Sequence, residues 1–188
     1  KNSKHIGWVM YRNGLVSLNF TTYPATAGVI QKLPDSSNVN ASGTTFSGVE
    51  WVEYGSVTRL TTVPNEGYDF KNWTINGEVI SSEPNLEFVA LENMTIKANY
   101  ALRTYSVTIS NANEEGIITG AASGIYSYGD TLNLAVEAND DFIFDCWEVN
   151  GQNKGKDNEL SIIVNDVKDV KEIFRRNVFQ QSLTLLKG

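Results

Sequence analysis

Residues 54–77, YGSVTRLTTVPNEGYDFKNWTING, and residues 128–151, YGDTLNLAVEANDDFIFDCWEVNG, are two spellings of one segment, 74 positions apart and aligned without a gap. Eight positions are identical: Tyr54/Tyr128, Gly55/Gly129, Leu60/Leu134, Asn65/Asn139, Phe70/Phe144, Trp73/Trp147, Asn76/Asn150 and Gly77/Gly151. The same offset continues through Leu86/Leu160, Phe88/Ile162, Ile96/Val170 and Tyr100/Phe174. Upstream, Gly28-Val29-Ile30 matches Gly116-Ile117-Ile118 at an offset of 88, so the first copy holds 14 extra residues before its Tyr-Gly turn. A chain written this way has to fold one small unit twice. The copies span about 16–101 and 103–176, with an N-terminal segment at 1–15 and a tail at 177–188. In that tail Leu183 and Leu185 suit either the first strand of a further repeat or a strand that completes the second copy.

The copies also arbitrate secondary structure. Val107 and Ile109, and then Leu132, Leu134 and Val136, alternate with polar residues, the period of a half-buried strand. The spacing predicts six strands in the first copy, near 16–21, 28–32, 56–63, 68–76, 85–90 and 95–101. Asn76-Gly77 and Asn150-Gly151 are hairpin signals, because both residue types tolerate positive φ. Val164, Val167, Val170 and Ile173 recur at a helical spacing, but their counterpart MTIKANY is β-branched and alternating, so both are read as strands. The expected class is all-β: two small tandem antiparallel β modules in an elongated arrangement, with a loop insertion at about 31–53 of the first.

Composition narrows the function. One histidine (His5) and one cysteine (Cys146) are too few for a Cys/His zinc site or an internal disulfide. A histidine-dependent triad would have to use a residue five positions from the start of the sequence. No enzyme activity and no cofactor are therefore expected. A net charge of −7 argues against nucleic acid as a partner, since phosphates need clustered Lys and Arg. No run of about 18 apolar residues would span a bilayer.

At the aromatic–Trp–Asn-Gly block the sequence resembles the divergent InlB B-repeat, close to the Listeria–Bacteroides repeat of bacterial surface proteins. The matching residues are Tyr54, Gly55, Val57, Leu60, Pro64, Gly67, Tyr68, Phe70, Trp73, Asn76, Gly77, Ile96, Ala98 and Tyr100. The second copy has Ala138 for the proline, Asp141 for the glycine and Glu172 for the alanine, which removes the Pro-x-x-Gly turn signature but not the core positions. The resemblance implies stalk or adhesive modules of large exported proteins, with a β-grasp-like fold in the better-known relative and no general catalytic motif. It also implies an extracellular or cell-surface location, with any signal peptide and anchor outside these residues.

Individual features have plain structural readings. Trp73 and Trp147, one per copy inside an aromatic strand, read as core rather than as sugar platforms. Cys146, beside Asp145 and Glu148, lacks the basic neighbour of a reactive thiol. Asn139-Asp140-Asp141 and Asn165-Asp166 with Asp169 lack the spacing of a calcium loop and read as solvated turns. The feature with no bland counterpart in the second copy is the insertion, whose middle DSSNVNASGTTFSG is small, polar and uncharged after Asp35. Loops of this length are either binding elements or surface excursions. The candidate ligand-contact residues are Ser36, Asn38, Asn40 and Thr44 within it, Trp51 beside it, and Trp8 ahead of both copies. The expected partner is a host or cell-surface protein or a glycan; the residues set no oligomeric state. The leading expectation is a non-catalytic spacer, stalk or adhesion module, the alternative a glycan-binding module attached to a surface enzyme or uptake protein.

Overall fold

The computed structural model describes residues 14–34, 44–110 and 114–178. The chain divides into two compact units between Leu102 and Arg103. In unit 1 the strands are β1 (Leu15–Tyr23), β2 (Gly28–Lys32), β3 (Thr44–Phe46), β4 (Gly48–Glu53), β5 (Val57–Pro64), β6 (Tyr68–Ile75), β7 (Glu78–Ser81), β8 (Asn85–Val89) and β9 (Met94–Leu102). Unit 2 has β10 (Thr104–Ile109), β11 (Gly116–Gly120), β12 (Gly124–Ser127), β13 (Thr131–Ala138), β14 (Phe142–Val149), β15 (Gln152–Gly155), β16 (Glu159–Ile163) and β17 (Lys168–Arg176).

The pairing is the same in both units. Unit 1 forms a sheet β4-β1-β9-β6-β7 and a sheet β3-β2-β5-β8; unit 2 forms β12-β10-β17-β14-β15 and β11-β13-β16. Strand for strand, unit 2 repeats unit 1 with one omission among the described residues, a counterpart of β3. The first and last long strands of each unit pair in parallel, β1 with β9 and β10 with β17, and the other pairs are antiparallel. That parallel pair is shared with a β-grasp, but a second sheet stands where a grasp carries its helix.

Alternation places the core between the two sheets of each unit. From the five-stranded sheet of unit 1, Val16, Leu18, Phe20, Trp73, Ile96, Ala98 and Tyr100 point inward; Ile30, Leu60 and Leu86 meet them from the other sheet. In unit 2, Trp147, Val149 and Val170 meet Leu134 and Val136, and Val107 packs with Leu132 and Val164. Burying one Leu- or Val-sized side chain stabilises by roughly 1.5–3 kcal/mol, so each unit's stability rests chiefly on its own two-sheet core.

All six strands expected in the first copy are present, and the valine-spaced segment at 164–173 carries the strand β17. One expectation needs correction, and the six expected strands fall short of the nine described in unit 1. The stretch 31–53 is not simply a looped insertion: it holds the end of β2, then β3 and β4, because Thr44–Phe46 find a partner in β2 and Gly48–Glu53 one in β1. The Asn-Gly turns are followed by short strands, β7 and β15, that no apolar alternation marks. The missing proline and glycine do not abolish the turn of unit 2, since Phe142 N donates to Asn139 O at 2.9 Å as Tyr68 N does to Asn65 O at 3.1 Å.

Candidate functional site

The identical residues of the two copies are the natural place to look for a shared site; Tyr54, of the Tyr54/Tyr128 pair, is 52% exposed, and the tryptophans, phenylalanines and asparagines serve the fold. Trp73 and Trp147 are 0% and 1% exposed, which rules out sugar stacking on either face. Their indole Nε1 atoms donate to the carbonyls of Pro84 at 3.3 Å and Asp157 at 3.0 Å. Phe70 and Phe144 pack on these tryptophans with centroids 5.5 and 5.4 Å apart, and edge-on to Tyr100 and Phe174. Asn76 and Asn150 hold positive φ, 52° and 50°, in the turns. Their Oδ1 atoms accept from Thr95 N at 2.8 Å and Asp169 N at 2.7 Å, so each also clips the start of the last strand. Asn65 and Asn139 donate through Nδ2 to Thr26 O and Glu114 O at 2.8 and 3.0 Å.

The acidic clusters are likewise engaged in local contacts. Lys168 donates to Asn165 Oδ1 at 2.7 Å and to Asp166, which leaves that turn organised around a lysine and not a cation site. Cys146 is buried opposite Ile173. Among the described residues no group of three or more His, Cys, Asp or Glu is placed to hold a metal ion. No helix among them is long and apolar enough to cross a membrane.

Of the candidate contact residues, Trp8, Ser36, Asn38 and Asn40 lie outside the described residues. Thr44 opens β3 and is exposed. Trp51 sits in the middle of β4, an edge strand, opposite Ser17 of β1, and is 51% exposed. Val49 points to the same side, so the pair makes a small apolar strip at the rim of an outer sheet face. Inward from that strip the face is polar: Ser17, Asn19 and Thr21 of β1, then Thr95, Lys97 and Asn99 of β9. Asn99 Nδ2 donates to Asn72 Oδ1 at 2.9 Å and to Thr74 Oγ1 at 3.5 Å. The other exposed aromatic of this face, Tyr23, lies six residues further along β1 than Ser17. At a rise of about 3.3 Å per residue it is roughly 20 Å from the level of Trp51. The two rings therefore cannot clamp one sugar between them.

The insertion also ties the two sheets of unit 1 together. Lys32 at the end of β2 donates to Glu50 Oε1 of β4 at 2.7 Å. Unit 2 has Gly120 and Gly124 in these places and no such tie can form. Sequence reading did not find a concavity of about 950 Å³ on the outer face of the three-stranded sheet of unit 2, where Thr119, Asn133, Ala135, Glu159 and Ser161 point outward. These side chains alternate with core residues, and the signal was present in β13 and β16; the curvature of the sheet was not. The concavity holds carboxylates and neutral polar groups with no histidine, cysteine or cation among its lining residues. It offers hydroxyl, amide and carboxylate groups for hydrogen bonding.

A family model for the divergent InlB B-repeat domain matches residues 18–104 and 105–177. The comparison with curated proteins gives no match.

Proposed function

We propose, for a chain that belongs to the divergent InlB B-repeat family, a non-catalytic role as a spacer or adhesion segment of a larger exported bacterial protein. The family is typical of bacterial surface or extracellular proteins. The observation that carries this reading is the fate of the identical residues. The two copies preserve chiefly Trp, Asn and Gly positions that build cores and turns, together with the half-exposed Tyr54, while other exposed side chains differ, as Trp51 against Ile125 and Val79 against Asn153 show. A repeat kept for chemistry would keep a surface constellation; a repeat kept for reach or valency keeps its scaffold. A spacer role would require the modules proposed at 16–101 and 103–176 to stand apart as two lobes. Small-angle scattering on the full chain tests this: a pair-distance distribution with two separated maxima is expected, and a single compact globule would overturn the spacer reading. A broad hydrolase substrate panel is expected to show no turnover.

The exposure of Trp51 beside an Asn- and Thr-rich face favours a second reading, a glycan-contacting module. A glycan array would detect it, and binding that survives both Trp51→Ala and Trp8→Ala would dismiss these residues as its basis.

A further inference from the structure

The two units differ at one sheet edge. In unit 1, β3 pairs antiparallel with β2, placing Phe46 opposite Ile30 and Thr44 opposite Lys32. Phe46 packs on Phe20 with ring centroids 6.0 Å apart. Among the described residues unit 2 has no counterpart of β3, and β11 is the edge of its sheet. The consequence is visible in burial: Ile30 is fully buried, its counterpart Ile118 only half-buried, and Ile117 is 55% exposed. Where unit 1 seats Phe46, unit 2 has a notch of about 260 Å³ lined by Ile109, Ser110, Ile118, Ala121, Ala122 and Ser123. Ile109 and Ile118 are the counterparts of the residues that Phe46 covers.

The edge is open to hydrogen bonding at known positions. Ala121 N donates to Asn133 O and Glu115 O accepts from Asn139 N, so odd-numbered residues of this strand face β13. Alternation then turns the N–H and C=O groups of Gly116, Ile118 and Gly120 outward. The segment GIITG carries neither the charge nor the proline that usually blunts an exposed edge. Charge differs as well: the positions of Thr26, Ala27 and Val63 in unit 1 are Glu114, Glu115 and Glu137 in unit 2.

We infer that the β11 edge and its notch form a docking site for an extended peptide of a separate protein, added antiparallel to β11, with an aromatic residue opposite Ile118 and basic residues following it. Unit 1 supplies the template for the strand and its aromatic; the acidic rim supplies the preference for the basic residues. In the β3 register, the residues after the aromatic fall opposite Ile117 and Gly116, at the end of β11 where the three glutamates lie. This site is independent of the spacer reading, because peptide capture by one edge and the separation of the two units are read by different measurements.

The test uses the full chain and the blocked peptide GTTFKK, followed by amide NMR shifts. Saturable shifts confined to Gly116–Gly120 and the Ala121–Ser123 notch are expected. Methylating the peptide nitrogen of Phe, which faces β11, should weaken binding at least tenfold; methylating that of the second Thr, which faces away, should leave it within twofold. Replacing the peptide's Phe by Ala should cost about tenfold, and the exposed double variant Glu114→Lys/Glu137→Lys about fivefold. No saturable shifts, shifts centred on another edge, or equal binding of the two N-methyl peptides would overturn the assignment.

Discussion

Unit 1 and unit 2 solve the same packing problem with different polarity. In unit 1 the Tyr100 hydroxyl meets the buried Thr62 hydroxyl, which is also within 3.3 Å of Val29 O. At the same two places unit 2 has Phe174 and Val136, so both polar atoms are absent together. Across β6 and β9, Asn72 faces Asn99 and the two are hydrogen-bonded; across β14 and β17 the corresponding pair is Cys146 and Ile173. The last strand reverses the trend. Met94 and Ala98 of unit 1 become Lys168 and Glu172, both buried, and each has partners: Asn165 and Asp166 for the lysine, Ser110 for the glutamate at 2.9 Å. A buried polar atom without a partner costs about 1–3 kcal/mol, whereas removing both partners is close to neutral. The copies have therefore diverged by exchanging pairs, not single residues.

The comparison breaks most sharply at the shared tryptophans. Trp73→Ala and Trp147→Ala should each cost about 3–5 kcal/mol, unfolding the unit that carries the change. Near-ultraviolet dichroism and tryptophan fluorescence during thermal unfolding will report it. Next come Gly28 and Gly116, where an added Cβ would stand 2.5 Å from the rings of Tyr100 and Phe174. In unit 2 the same Cβ also meets the Glu137 carbonyl at 2.6 Å, and a backbone atom yields less than a ring. Gly116→Ala should thus destabilise more than Gly28→Ala, by about 1–3 kcal/mol overall, measured by denaturant midpoints.

The Thr62–Tyr100 pair sharpens the comparison further. Thr62→Val alone strands a buried phenol and should cost about 1–3 kcal/mol. The double change Thr62→Val/Tyr100→Phe, which copies unit 2, should recover most of that loss, giving a coupling energy in a double-mutant cycle. Burial pushes the Tyr100 phenol above its usual 10.0, and the Thr62 hydrogen bond offsets this in part. The neutral phenol is the form the fold accommodates. Its contribution is intact below pH 10.0 and is lost as pH rises through the higher folded value. Unit 1 should lose stability at alkaline pH in a step that Tyr100→Phe removes and that unit 2, with Phe174, lacks. The smallest effect belongs to Arg59–Glu87, a 2.7 Å pair with side chains 36% and 60% exposed. Glu87→Gln should change stability by less than about 1 kcal/mol.

Much of this was legible because the sequence states its pattern twice. Alternation at Leu132, Leu134 and Val136, and Asn-Gly after an aromatic strand, located the long strands and turns in both units. The copy MTIKANY decided that Val164 to Ile173 was no helix. Other elements had no local signal. QNKG of β15 is polar throughout, and it is a strand only because β14 lies beside it. Thr44–Phe46 reads as part of a Gly- and Ser-rich stretch until β2 pairs with it. The parallel pairing of β1 with β9 joins residues some 75 positions apart, and no window of sequence contains it. The open β11 edge emerges only when one folded unit is subtracted from the other.

The claim on which the account depends is that each copy carries its own core, so that the identical residues serve one unit at a time. Amide hydrogen exchange on the full chain carrying Trp147→Ala tests it most directly. Protection should collapse in β10 to β17 while β1, β5, β6 and β9 exchange at the rates of the unaltered protein. Loss of protection in both units together would contradict two separate cores and, with them, the reading of the repeat as a duplicated scaffold.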